Sequence, residues 1–149
     1  MHIKKEAIQN HEEMKLLMIY ASRFAYQPMS KTLDDFVDHD QGAEFDQVLV
    51  AFIHAEAEDE SDAKGVEDKL LKNLKWAAKK NDTTKVILHS FAHLSDSKAT
   101  PQFTKQLFDK VEVRLQNADY QTAQTPFGYF LDLDLQAPGI SQARIFKSF

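Results

Sequence analysis

The fold is decided by one stretch, Lys85-Val-Ile-Leu-His-Ser-Phe-Ala-His-Leu-Ser95. Its apolar run, Val86 to Leu88, is mostly β-branched, which is typical of a strand covered on both faces. The run ends in two histidines and two serines. Polar side chains at the end of a buried strand in an open α/β sheet lie where ligand crevices usually form. The stretch therefore predicts a buried strand with a binding site directly after it.

The segments around this strand predict an α/β fold. Two further apolar runs, Lys15–Tyr20 and 48–53, indicate buried strands. From Ser61 to Lys80 apolar residues recur at three- and four-residue steps, which indicates an amphipathic helix, and the acidic run 56–62 before it is predicted as a solvated loop. Thr100-Pro101 is typical of an N-cap followed by proline at the first helical position, so a second helix is expected there.

The remaining strands are predicted from shorter patterns. Pro28 marks the end of the first strand or a bend in it. The four further strand candidates are 33–37 at an edge, 120–124, 129–135 with alternating leucines, and 143–149 at the end of the chain. Up to 129–135 the expected order is β-β-β-α-β-α-β-β, and 143–149 adds a last, short strand. We predict a single α/β domain, residues 14–149, with a mixed β-sheet and two main helices, preceded by a polar extension, residues 1–13.

Composition limits the function. The chain has 149 residues, a formal net charge of −5 and no cysteine, so disulfides and thiolate chemistry are excluded. The N-terminus lacks the apolar core of a signal peptide, and no apolar run is long enough to cross a bilayer, so we expect a cytoplasmic protein without a membrane partner. An acidic chain lacks the basic footprint of a DNA-binding protein. We therefore expect no DNA partner, and only local RNA contacts through lysines such as Lys98 and Lys105.

Motif tests narrow the site to His93. The sequence contains no nucleotide-binding glycine motif, no phosphate-binding loop and no zinc-helix signature, so we expect no cofactor. His89 and His93 are four residues apart, but a strand followed by a turn does not align two such imidazoles, so no metal site is predicted. His89 is interpreted as a strand-end residue satisfied by hydrogen bonds. His93, in the turn, is either a site residue or a structural turn histidine. Trp76 is interpreted as a packing or interface residue.

Two motifs flank the second helix. Phe91-Ala-His-Leu-Ser95 follows the apolar strand, and Thr125-Pro-Phe-Gly-Tyr-Phe130 follows the proline-capped helix. Together they resemble the N-terminal editing domain of archaeal threonyl-tRNA synthetases. The likeness runs in register over nearly the whole chain from Met14 onward, with 15–20 and 48–53 similar to the family's first two long strands.

The resemblance implies a fold shared with D-aminoacyl-tRNA deacylases and usually a homodimer. It also implies hydrolysis of the ester that joins a wrongly attached serine to threonine tRNA. In the family, the two motifs line the pocket for the 3′-terminal adenosine and its aminoacyl group. By matching, His93 is the candidate catalytic residue, and the candidate substrate-binding residues are Ser90, which replaces a usual proline, Ala92, Phe127, Gly128, Tyr129 and Phe130.

The sequence also departs from the family pattern. Leu131 stands where the family commonly has a lysine, and Arg144 stands where it has a glutamate. Two hypotheses follow. The chain is a freestanding aminoacyl-tRNA deacylase, or it is a catalytically inactive relative that binds a small molecule, a nucleotide end or a protein partner through the same pocket.

Overall fold

The structure is a computed structural model that describes residues 13–149. The predicted extension, 1–13, lies outside the described residues except for Glu13. The elements are β1 (Lys15–Lys31), β2 (Ala43–His54), α1 (Ala63–Lys80), β3 (Lys85–Ser90), α2 (Pro101–Asn117), β4 (Gln121–Gln124), β5 (Tyr129–Gln136) and β6 (Arg144–Ser148). The predicted α/β class, with a mixed sheet and two main helices, is confirmed.

One long strand organises the sheet. The strand order is β4-β3-β2-β1-β5, and β6 also pairs with β1. Strands β2, β3 and β4 are parallel, whereas β1 is antiparallel to all of its partners. On its second edge β1 pairs first with β6, over Lys15–Ile19, and then with β5, over Arg23–Lys31. Strand β1, with 17 residues, therefore pairs with three strands, β2, β5 and β6.

The prediction of an edge strand at 33–37 is wrong. Strand β1 does not end at Pro28 but continues to Lys31, and the chain then turns at 34–36. The partner β2 reaches only to Tyr26, so the missing N–H of Pro28 removes no hydrogen bond to β2. A register shift against β5 after Pro28 absorbs the irregularity. The segment 33–37 is thus the turn that follows a longer first strand.

The other boundaries agree more closely. The acidic run is not a loop but a short 3-10 helix, Ala57–Asp62, and α1 begins after it. The predicted N-cap of α2 is confirmed, because the Thr100 hydroxyl accepts a hydrogen bond from the Phe103 N–H at 3.2 Å. The last strand is also confirmed, as Arg144–Ser148. The observed order is therefore β-β-α-β-α-β-β-β.

Two apolar clusters cover the two faces of the sheet. The larger lies between the sheet and both helices, and its strand residues include Leu16, Met18 and Leu88. The smaller, on the opposite face, contains Phe24 and Phe52. Because β2 and β3 contribute to both clusters, their runs are apolar without alternation. Over residues 13–149 no helix is long and apolar enough to cross a membrane.

Candidate functional site

A cavity of about 450 Å³ lies between the end of β3 and the start of β5. The chain brings these ends together because β4 is parallel to β3 and finishes beside it, with the Thr125 N–H bonded to the Leu88 carbonyl at 3.0 Å. All seven residues that the sequence singled out line the cavity: Ser90, Ala92, His93, Phe127, Gly128, Tyr129 and Phe130.

The turn before β5 fixes one wall. Gly128 has a φ of +83°, and a Cβ there would come within 2.9 Å of the Leu33 Cβ. Its carbonyl accepts the Thr32 N–H at 2.6 Å, which ties the turn to the end of β1. Next to it, Phe127 is buried edge-on against Phe108 of α2, with ring centroids 6.1 Å apart. Glycine is therefore required at position 128 for both its conformation and its lack of a side chain.

His93 lies at the mouth of the cavity. Its side chain is exposed, and its ring packs edge-on against Phe91, with centroids 5.1 Å apart. It also lies nearly parallel to Phe130 of β5, at 6.3 Å and an interplanar angle of 21°. Phe130 is itself 58% exposed. An exposed aromatic ring offers a face on which a nucleobase can stack, and the imidazole nitrogens can form hydrogen bonds.

The loop that carries His93 is held from below by His54, the last residue of β2. His54 is fully buried, and its Nδ1 accepts the Leu94 N–H at 3.1 Å while its Nε2 lies 2.6 Å from the Ser97 carbonyl oxygen. An Nδ1 that accepts carries no hydrogen, so Nε2 carries it and donates to Ser97. Sequence reasoning missed His54. The same rule that located His89, a polar residue ending an apolar strand, identifies it.

A buried carboxylate supports the same loop. Glu56 is fully buried, accepts a hydrogen bond from the Ser95 hydroxyl at 3.0 Å and lies 3.4 Å from the Lys15 ammonium. The Glu56 N–H donates to the Asp59 carboxylate at 2.7 Å, and burial raises the pKa of Asp59 to about 6. Through its hydrogen bond to Glu56, Ser95 supports the loop, and its side chain does not line the cavity.

His89 is confirmed as a strand-end residue. It is buried, its Nδ1 lies 2.8 Å from the Thr125 hydroxyl, and burial lowers its pKa to about 4. The ring is therefore neutral at pH 7 where it contacts the cavity. Within residues 13–149 no three His, Asp or Glu side chains are close enough together to hold a metal ion.

Among the described residues that line the cavity, only Lys98 carries a full charge. Its backbone neighbours are fixed, because Ala99 N–H donates to the Ala55 carbonyl at 2.9 Å and the Ser97 carbonyl accepts from His54. By contrast, Lys105 is paired with Asp109 at 3.0 Å. Leu131 lines the cavity, whereas Arg144 bonds the Pro138 carbonyl at 2.9 Å and does not reach it. Sequence reasoning named Lys98 only as a local RNA contact.

The family model for the archaea-specific editing domain of threonyl-tRNA synthetase matches residues 14–149. The chain belongs to this family. Membership gives this editing-domain protein an aminoacyl-tRNA editing-like role, which serves translation fidelity.

Curated relatives of this editing-domain protein are threonine–tRNA ligases. That of Thermococcus gammatolerans is 28% identical over 138 residues, which cover 91% of this chain and 22% of the relative. That of Methanosphaera stadtmanae is 28% identical over 128 residues, which cover 85% of this chain and 21% of the relative. The chain thus spans about a fifth of the length of the curated relatives it matches.

A solved structure titled c-Myc DNA Unwinding Element Binding Protein has a similar fold. It matches with a TM-score of 0.64 and 8% sequence identity, over 89% of this chain and 97% of that one. At this identity the likeness concerns the fold alone. The fold that the family resemblance implied, of the D-aminoacyl-tRNA deacylase type, is confirmed.

Proposed function

We propose that this editing domain hydrolyses the ester of a mischarged aminoacyl-tRNA, with serine on threonine tRNA as the substrate that the family resemblance implies. The observation that supports the proposal is the cavity that unites the Ala92–His93 turn with the 127–130 segment. Its volume, about 450 Å³, is within the range of ligand pockets and suits a nucleoside bearing a small acyl group. Its mainly apolar and aromatic walls suit an adenosine end.

The chemistry is attack of water on the ester carbonyl carbon. A C–O bond forms to water, negative charge develops on the carbonyl oxygen, and the bond to the ribose oxygen breaks as that oxygen takes up a proton. His93 and the backbone N–H groups of 90–93 orient the water and the terminal ribose. The remaining requirement is positive charge near the developing oxyanion, and Lys98 is the described cavity residue that can supply it.

A second candidate function has its own support. The half-buried Leu131 gives no electrostatic help to an oxyanion at the position where the family commonly has a lysine. The chain would then be a catalytically inactive relative that uses the cavity to bind a small molecule, a nucleotide end or a protein partner.

The test incubates the purified protein with a panel of mischarged tRNAs and counts released amino acid. We expect release of serine from threonine tRNA, at a rate above that with correctly charged threonine. A matched calorimetric titration uses a non-hydrolysable seryl-adenosine analogue. Tight binding of the analogue without turnover of any aminoacyl-tRNA would select the inactive relative. Failure of both measurements would reject the cavity as a site for an aminoacylated 3′ end.

We also propose that the protein is a cytoplasmic homodimer. Strands β5 and β6 each pair with β1 alone, so each has a second edge that no described strand covers. Exposed apolar side chains accompany these edges, with Leu133 at 42% and Phe146 at 55% exposure. Open edges bearing apolar side chains favour pairing with another chain. The cytoplasm is where an aminoacyl-tRNA substrate is made.

A further inference from the structure

The C-terminal part of α1, from Lys69 to Lys80, is strongly basic in an acidic protein. Between Lys69 and Lys80 the helix has five lysines and no carboxylate, although the chain has a formal net charge of −5. The carboxylates of this helix lie in its first half, where Glu67 and Asp68 are bound by Arg114 at 2.8 and 2.7 Å. None of the five lysines makes an ion pair with any residue in the described range 13–149.

Helix geometry gathers most of these lysines around Trp76. At about 100° per residue, four of the five lie within roughly 60° of the Trp76 direction, and Lys75 points about 100° away. The four are Lys69, Lys72, Lys79 and Lys80. Trp76 itself is 43% exposed. A lysine stripe with an exposed indole at its centre is therefore built into the helix.

The tertiary structure adds a fifth cation to the four lysines around Trp76. The Lys147 ammonium, from β6, lies 4.9 Å from the centroid of the Trp76 ring, and the Lys80 ammonium lies 5.2 Å from it. Contact with the ring face orients both ammonium groups. We name this surface the basic face: Lys69, Lys72, Trp76, Lys79, Lys80 and Lys147.

Helix stability alone does not account for the basic face. Cations in the last turn interact favourably with the helix dipole, which explains Lys79 and Lys80. Lys69 and Lys72 lie more than a turn from that end. They are three residues apart and therefore neighbours on the helix surface, where like charges repel. A surface that concentrates unneutralised positive charge in an acidic protein complements a polyanion.

We propose that the basic face binds the phosphate backbone of the tRNA whose aminoacylated 3′ end occupies the cavity. This inference rests on the proposed function for the identity of the RNA. The helix begins eight residues after the cavity residue Ala55, and Lys69 and Lys80 lie about 9 and 26 Å along it from Ala63. A ligand that reaches both places is extended, as an RNA stem is. A membrane surface fits less well, because Trp76 is the only large exposed apolar residue that α1 presents in the described structure.

The test compares two triple variants with equal loss of charge. The first removes part of the basic face, Lys72→Ala, Lys79→Ala and Lys147→Ala. The control removes exposed or half-buried lysines elsewhere, Lys64→Ala, Lys85→Ala and Lys110→Ala. Affinity for an uncharged threonine tRNA transcript is measured by fluorescence anisotropy from 50 to 300 mM salt. Thermal unfolding confirms that each variant is folded.

We expect the basic-face variant to bind at least tenfold more weakly at low salt. Its slope of log affinity against log salt should fall by about two, since each lost phosphate contact removes roughly 0.7 to 0.9. The control should change the slope by less than one. Equal losses in both variants would overturn the inference, because they would report net charge alone. Face-dependent binding to phosphatidylserine vesicles without face-dependent binding to tRNA would also overturn it.

A second readout separates this inference from the proposed function. On full-length mischarged tRNA, the basic-face variant should raise KM with kcat unchanged. On serine esterified to a short 3′-terminal oligonucleotide, it should match the wild-type protein. A wild-type protein that hydrolyses nothing but binds tRNA through these lysines would reject the proposed function and retain the basic face.

Discussion

His93 combines exposure with a fixed position, so its loss separates function from stability. His93→Ala removes a ring that packs on Phe91 and Phe130 at the surface, where little apolar area is buried. We expect deacylation to fall by about tenfold to a thousandfold, the range for a group that orients water or substrate. The midpoint of thermal unfolding should hardly change. An active and stable variant would remove His93 from the site.

Phe127 lines the same cavity as His93 but is buried, so its loss should affect stability as well as function. It is buried between Phe36 and Phe108, with ring centroids 4.8 and 6.1 Å away. Phe127→Ala should therefore weaken substrate binding and also lower the free energy of unfolding, by about 3 to 5 kcal/mol if the space does not collapse. Denaturant unfolding of both variants measures the difference, and equal stability losses would contradict it.

At the residue scale, local patterns predicted the cavity walls but not what supports them. His93 and Phe127 belong to motifs whose chemistry is visible in the sequence. His54 acts on the same loop from a strand about forty residues earlier, and its role depends on the pairing of Ile53 with Ser90, which no local pattern encodes. The placement of Lys98 likewise depends on residues distant in sequence, since its neighbours Ser97 and Ala99 are fixed by hydrogen bonds to His54 and to Ala55.

At the scale of elements, the 3-10 helix after β2 and the end of β3 carry two buried titratable groups with opposite effects on stability. The pKa of Asp59 rises from 3.8 to about 6, so its contribution is fully present below pH 3.8 and is lost as pH rises through 6. The pKa of His89 falls from 6.5 to about 4, so its contribution is present above pH 6.5 and is lost as pH falls towards 4. Between pH 4 and 6.5 the two effects partly cancel.

Single substitutions should separate these effects. Asp59→Asn keeps an oxygen that can accept the Glu56 N–H but does not titrate. Its free energy of unfolding should fall more steeply than that of the wild-type protein as pH is lowered from 6.5 to 4. His89→Gln should show the opposite trend. Urea unfolding at half-unit pH intervals measures both, and an Asp59→Asn curve parallel to the wild-type curve would contradict the assignment.

The elements themselves were predicted well where packing determines them. The apolar runs of β2 and β3 lie between two clusters, so their lack of alternation was a reliable signal. The error at 33–37 arose because proline normally ends a strand. Here β1 continues beyond Pro28 because only β5 pairs with it there. The length of β1 is therefore determined by its partner strands, and the sequence of β1 and of 33–37 alone does not show it.

At the scale of the whole molecule, the open edges of β5 and β6 lead to a prediction of assembly. We expect a homodimer, and analytical ultracentrifugation at micromolar concentration should give a mass near twice 17.1 kDa. Phe146→Lys, at an exposed position on β6, should shift the equilibrium towards the monomer without unfolding the domain. A wild-type mass of one chain would contradict the dimer.

The pairing of β6 with the start of β1 has a consequence for synthesis on the ribosome. Lys15–Ile19 emerges among the first residues of the domain, yet its partner, Arg144–Ser148, emerges among the last. During translation the apolar β1 therefore keeps an unpaired edge until nearly the whole domain has been made. Such edges are where nascent chains aggregate, and a ribosome that stalls before Arg144 leaves this one uncovered.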